Sequence, residues 1–204
     1  MSINQITGVK NNMIYQIIAI LILAIFFAFY FAKIVLLKKQ SIQTNQMGIG
    51  KKPRKVLLIE RIMSFATSLT VVMELGSIFL VRQFLSPGLR IAGILAGILG
   101  VTFFALATIT MKTSWRVGIP EEKTALITNG IYKWSRNPAF VGFDFLYLSI
   151  CLLFFNLPLL LVSVWSAVML HLQILQEEEH MQHMFGEEYA AYKKQTLRYL
   201  GRKQ

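Results

Sequence analysis

Charge is the first shortage. Only 15% of the 204 residues are Asp, Glu, Lys or Arg, against about a quarter in a soluble globular domain. The missing charge leaves long uncharged stretches, and 55% of the chain is apolar. This is the composition of a chain that crosses a bilayer, not of a soluble domain with a generous core. Cysteine is almost absent: Cys151 stands alone, which excludes an intramolecular disulfide and a Cys-based zinc site. The three histidines, His171, His180 and His183, are too few for the histidine clusters of a membrane di-iron enzyme. Glu177 and His180 form a single Glu-x-x-His, where a di-iron bundle needs two. No metal site is expected.

Other signatures are missing as well. Gly48-Ile49-Gly50-Lys51-Lys52 lacks the spacing and the Ser or Thr of a phosphate loop. The net charge of +11 comes without any nucleic-acid module, and the basic residues fall between apolar runs. No nucleic-acid partner is expected. The apolar run Ile17 to Ala32 is longer than the 7–15 residues or so of a secretory core, and no small-x-small cleavage site follows it. It reads as a first membrane span. No internal repeat or low-complexity segment is present.

Five runs are long enough to cross a bilayer, which takes about 20 helical residues. They are Met13–Leu37, Val56–Val81, Leu89–Met111, Pro138–Phe155 and Leu157–Gln176. The expected fold is therefore an all-α polytopic bundle of about five transmembrane helices. The last two runs meet at Asn156-Leu157-Pro158, a turn that makes them an antiparallel hairpin, and an amphipathic tail follows. The basic residues set the orientation. Sixteen lie in the first loop, the third loop and the tail, while Lys10, Arg82 and Arg90 alone mark the opposite side. This predicts the N-terminus outside and the tail in the cytoplasm. Residues 1–111 read as a three-span scaffold. Residues 112–204 read as the catalytic, cofactor-binding region, containing a loop or re-entrant segment, the hairpin and the tail.

Unusual polar residues concentrate in that second region. In Ser135-Arg136-Asn137-Pro138, Asn is a favoured N-cap and Pro a favoured first helical residue, so the fourth span starts here. The free N–H groups of a helix start, beside Arg136, suit an anion. A capped helix with a snorkelling arginine is the plainer alternative. Asn137, Phe140, Asp144, Tyr147 and Cys151 recur at steps of three and four, on one face. A carboxylate at Asp144, about two turns into the span, is costly in lipid and must face protein or water. It could hold a cationic part of a cofactor, pair with Arg136, or hydrogen-bond another helix. Cys151 has no base near it in sequence and reads as packing.

The fifth span runs into Glu177-Glu178-Glu179, then Phe185-Gly186, Tyr189 and Tyr192. Acid at the cytoplasmic, C-terminal end of a helix opposes the helix dipole, although a solvated charge run is the ordinary use. Gly93 and Gly97 form a small-x-x-x-small pair that favours close helix packing. Glu60, Ser64, Thr67, Ser68 and Glu74 lie along one side of the second span and read as buried polar contacts between helices.

Taken together, these blocks resemble the isoprenylcysteine carboxyl methyltransferase family. Leu126-Ile127-Thr128-Asn129-Gly130-Ile131-Tyr132 is similar to its L-[VI]-T-x-G-x-Y. Arg136-Asn137-Pro138-Ala139-Phe140-Val141-Gly142 is similar to R-[HN]-P-x-Y-x-G. Glu177, Glu178, Met181, Phe185, Gly186, Tyr189 and Tyr192 match its double-Glu block, and phospholipid N-methyltransferases are similar in the same places. The likeness covers residues 112 to 200. Asn137 stands where His is commoner and Phe140 where Tyr is usual. The resemblance implies S-adenosylmethionine as cofactor, with Tyr132, Arg136, Pro138, Phe140, Gly142, Glu177, Glu178, Tyr189 and Tyr192 in its site. It implies Arg136, Asn137 and Asp144 as the catalytic group. Arg136 and the helix start suit the anionic end of the cofactor; Glu177 or Glu178 suits its cationic end or its ribose hydroxyls. The aromatic residues suit the adenine or the sulfonium. The implied acceptor is a lipophilic small molecule or lipidated substrate within the membrane lipids, with a carboxylate favoured over an amine or a thiol. NADPH-dependent sterol reductases share an Arg-x-Pro-x-Tyr segment, but they continue with Glu after the Gly, where this chain has Phe143.

Overall fold

The structure is a computed structural model that describes residues 3–81, 85–120 and 124–202, with the side chains of 3–11 left aside. Arg82, Lys123 and Lys203, counted above for orientation, lie outside the described residues. Five α-helices run in chain order: α1 (Ile3–Lys39), α2 (Arg54–Leu80), α3 (Pro87–Met111), α4 (Pro138–Leu153) and α5 (Leu157–Gln195). Short 3₁₀ turns occupy Lys112–Ser114 and Gly130–Lys133. The polytopic helical bundle is therefore observed, with one refinement. α1, α2, α3 and α5 are long and apolar enough to cross a membrane, while α4 is a shorter apolar helix of 16 residues. At 1.5 Å per residue α4 is about 24 Å long, short of a hydrocarbon core of about 30 Å.

The ends of the helices follow from the sequence. α3, α4 and α5 each carry Pro in their first turn, where its missing N–H has no helical partner to lose. Asn156 caps α5, its side chain accepting from the Leu159 N–H at 2.9 Å and donating to Ser77 Oγ at 2.8 Å. Asn137 sits in the corresponding position before α4 but makes no capping bond; its amide is used elsewhere. α5 has 39 residues and bends at Gly186, whose φ of 50° and ψ of −121° leave the helical region. Its first 20 residues suffice to span, so the segment beyond them projects from the membrane end.

Between lipid-facing helices there is little hydrophobic drive, and close packing takes its place. α4 lies along α3, and α5 along α2. At the α3–α4 crossing the backbones nearly touch: a Cβ on Gly100 would stand 2.9 Å from the Gly142 carbonyl oxygen, and one on Gly142 2.9 Å from that of Gly100. Gly93 and Gly97 continue the same face against Ser149, Leu152 and Leu153 of α4 and Ile22 of α1, as their spacing suggested. An aromatic core closes α1, α3 and α4 together. Phe26 stacks on Phe104 with ring centroids 4.4 Å apart and meets Phe143 edge-on at 4.9 Å.

The loops at one end are stitched to each other. Val117 donates to Thr44 O at 2.9 Å and accepts from Gln46 N at 2.8 Å, a parallel bridge between the first and third loops. Glu60, fully buried, accepts from Gly48 N at 2.7 Å, from Ile119 N at 2.9 Å and from the Lys52 ammonium at 2.8 Å. Gly118 is required there: its φ is +85°, and a Cβ would stand 2.9 Å from Glu60 Oε1. The tail joins the same end, with Arg136 N donating to Leu197 O and Gly201 N to Trp134 O.

Candidate functional site

That stitched end contains a cavity of about 730 Å³, within the range of about 300–1,000 Å³ that small-molecule sites occupy. Its lining brings together residues that the two sequence blocks hold far apart: Tyr132, Arg136, Asn137 and Phe140 from the first, and Glu177, Glu178, Tyr189 and Tyr192 from the second. Pro138, Gly142 and Asp144 are not on the lining. Pro138 opens α4, Gly142 makes the crossing with Gly100, and Asp144 is partly buried with Oδ1 unpartnered.

The charged groups pair in a specific way. Arg136 donates from Nε at 3.0 Å and Nη2 at 2.8 Å to Glu178 Oε1, and from Nη1 at 2.7 Å to Thr196 O. The Asn137 amide, free of helix capping, donates to Glu178 Oε1 at 3.1 Å and to Arg198 O at 3.2 Å. Arg198 supplies two more bonds, to Glu178 Oε2 at 3.2 and 3.0 Å. The hydrogen bonds to Glu178 raise the Arg198 guanidinium above its ordinary value. So Glu178 is a buried carboxylate with five donors, and it ties α4, α5 and the tail into one unit. Arg136 is engaged by Glu178 and not by Asp144.

Glu177 differs from its neighbour. It accepts one bond, from Gln173 Nε2 at 3.1 Å, and faces the cavity. The bend at Gly186 returns the chain so that Tyr189 and Tyr192 are buried over the same space, with ring centroids 6.0 Å apart. Tyr192 Oη donates to Tyr132 O at 2.6 Å. Burial, with smaller contributions from Tyr192 and Glu177, pushes the Tyr132 phenol well above its ordinary value, so it stays protonated. The site thus offers the Glu177 carboxylate, the phenols of Tyr132, Tyr189 and Tyr192 and His180 on a cavity whose lining mixes apolar residues such as Phe27, Phe104 and Phe143 with polar ones such as Ser64, Thr67 and Arg116.

Several lining residues escaped the sequence reading. The helices taken as scaffold contribute Phe27, Tyr30, Met63, Ser64 and Thr67, and the third loop contributes Trp115, Arg116 and Ile119. Two signals pointed to them: the aromatic stripe Phe27-Tyr30-Phe31 at helical spacing, and a Trp-Arg pair where a span meets the interface. Among the described residues no cluster suited to a metal ion occurs.

Fold and site define a polytopic helical membrane protein whose chemistry-bearing side chains gather at one end of the bundle, around a cavity lined by all five helices and the third loop. Residues 89–188 match the family described as phospholipid methyltransferase. The chain is also 30% identical over 113 residues to protein-S-isoprenylcysteine O-methyltransferase of Homo sapiens, covering 53% of this chain and 39% of that protein. Its counterparts from Xenopus laevis and Rattus norvegicus match at 30% and 31% over the same shares. The chain spans 39% of the length of these curated relatives. The resemblance drawn from the two blocks is thus supported by whole-segment similarity.

Proposed function

We propose that this protein is an S-adenosylmethionine-dependent membrane methyltransferase acting on a lipophilic acceptor, with the site on the cytoplasmic side and the N-terminus outside. The observation that carries this reading is that both motif blocks line one and the same cavity. The donor set suits the cofactor. Glu177, with one hydrogen bond to Gln173, has acceptor capacity left for an ammonium or ribose hydroxyls. The rings of Tyr132, Tyr189 and Tyr192 present electron-rich faces that stabilise a sulfonium. The Glu178 knot holds Arg136 and Asn137 in place at the start of α4, and Gly142 sets how closely that helix approaches α3. When bound, the cofactor would supply an electrophilic methyl group for transfer to the acceptor. The residues of this chain contribute by alignment and by excluding water, since an in-line displacement gains most from correct approach.

The favoured acceptor is a carboxylate on an isoprenylcysteine-like molecule, in keeping with the names of the aligned relatives. A phospholipid amine is the second reading, favoured by the family matched over residues 89–188. Purified protein should bind S-adenosylhomocysteine in calorimetry and show no heat with NADPH. The Arg136→Ala variant, which strips Glu178 of two of its five donors and loosens the start of α4, should bind it about tenfold or more weakly, a loss of about 1.4 kcal/mol. NADPH binding by the wild type would overturn the reading in favour of a reductase. Single-turnover rates across pH 6–9 separate the acceptors. A carboxylate, titrating near pH 4 in water, gives a nearly flat profile, whereas an amine must lose a proton and gives a rising one.

A further inference from the structure

The tail that feeds the Glu178 knot also builds a surface of its own. Residues 196–202 close into a loop: Thr196 and Arg202 pair in an antiparallel bridge, Leu197 N donates to Gly201 O at 2.9 Å, and Gly201 N donates to Trp134 O at 2.7 Å. Arg198 turns inward to Glu178, while its neighbours stay at the surface. Trp134 is 58% exposed, Leu200 45%, and Leu197 and Tyr199 37% each. Exposed Lys133 and Arg202 flank these residues in sequence. An apolar patch with a charged rim marks contact with a membrane or another protein.

The depth of the loop decides between them. Tyr199 Oη is hydrogen-bonded to His171 Nδ1, and the two rings stack with centroids 6.0 Å apart and 20° between their planes. His171 belongs to the spanning part of α5 and lies about 7 Å short of Gln176 at 1.5 Å per residue. Val168 and Leu175, one turn to either side of His171 on the same helix face, are exposed apolar residues of that span. The loop therefore turns back beside the lipid-facing side of α5. Interfacial segments sink their apolar face to this level, about 5–10 Å into the boundary between headgroups and acyl chains. Tryptophan and tyrosine collect there, with lysine and arginine reaching the phosphates.

We infer that the loop 196–202, together with Trp134, docks on the surrounding bilayer, with Trp134, Leu197, Tyr199 and Leu200 seated in the headgroup–acyl boundary. The same loop presents Thr196 O to Arg136, Arg198 O to Asn137 and the Arg198 guanidinium to Glu178. Lipid on its outer side thus steadies three residues of the cavity lining. This docking is independent of the methyltransferase reading.

The test uses the full chain in phosphatidylcholine nanodiscs, one chain per disc, with bimane attached at Leu200→Cys and the buried Cys151 unlabelled. His183→Cys, on the part of α5 that projects beyond Gln176, is the water-exposed reference. A 5-doxyl phosphatidylcholine should quench the label at 200 and spare the one at 183, and aqueous iodide should do the reverse. In the unlabelled protein, Leu200→Asp should lower the hydrogen-exchange protection of the Leu197 and Gly201 amides about tenfold or more, the effect of withdrawing one leucine from apolar surroundings. Leu200→Met should keep that protection. Equal iodide quenching at both positions without doxyl quenching overturns the inference, as does undiminished protection in Leu200→Asp. Shielding of position 200 from iodide without doxyl quenching assigns the patch to a protein contact and overturns it as well.

Discussion

Glu177 and Glu178 are neighbours in sequence with opposite surroundings. On a helix, adjacent side chains point about 100° apart, so one carboxylate turns to Arg136, Asn137 and Arg198 while the other turns to Gln173 and the cavity. Their substitutions should therefore separate. Glu178→Gln leaves two guanidiniums facing a neutral amide, and breaking a buried pair costs about 3–5 kcal/mol. A clear fall in the thermal unfolding midpoint is expected. Glu177→Gln should hold its midpoint close to wild type yet bind S-adenosylhomocysteine about tenfold or more weakly, a loss of about 1.4 kcal/mol. A wild-type midpoint in Glu178→Gln would show that the knot contributes nothing to stability. The residue types were readable from the sequence, because arginine, asparagine and paired glutamates are conspicuous in an apolar region. Their partnership was not: Arg136 and Glu178 are 42 positions apart, and nothing local states that the helix start and the double-Glu segment meet. Asn137 illustrates the limit. Its position and type favour capping through Oδ1, but its Nδ2 donates to Glu178 and to Arg198 O, and in that orientation of the side chain Oδ1 caps no N–H of α4.

At the level of elements, the sequence delivered the helices and left their neighbours open. The tight turn at Asn156 joins α4 and α5 in a hairpin, yet each packs along a different helix, α4 on α3 and α5 on α2. The small-residue pattern explains the first choice, since Gly93, Gly97 and Gly100 give α3 a face that a helix backbone can reach. No periodicity names which helix will take it. Gly100→Val makes the point testable. Adding a branched side chain where backbone oxygen lies 2.9 Å from a Cβ forces α4 outward, and overpacking of this kind costs about 1–3 kcal/mol or more. The variant should unfold at lower temperature, and cofactor binding should weaken with it, because α4 carries Arg136 and Asn137 at its start. An unchanged midpoint would mean that the crossing is looser than described. The length of α4 was overestimated for a related reason: Phe154 and Phe155 are as apolar as the span, and hydropathy alone does not end a helix at Leu153.

For the molecule as a whole, the basic count and the geometry of the loops lead to one end. The first loop, the third loop and the tail are hydrogen-bonded to one another, so they share a side of the membrane whichever side that is. The proposal that this side is the cytoplasm rests on the excess of lysine and arginine there. Single cysteines at Ser41 and Arg202, in a background where the buried Cys151 is silent, should react with an impermeant maleimide only after intact cells are opened. Labelling of one of the two in sealed cells would refute the shared side.

Glu60 has a consequence for how the protein is made. A chain entering the membrane from its N-terminus has Lys52 and Gly48 in place as soon as α2 is inserted, but the third donor to Glu60 is the N–H of Ile119. That group exists only after α3 has been synthesised and threaded. Until then a buried acid at the head of α2 lacks one of its partners, and the wall formed by Met47 and residues 115–120 stays open. Biogenesis therefore has a built-in sequence: Glu60 gains its last donor only after the third helix arrives, and a nascent chain released before residue 119 carries an incomplete Glu60.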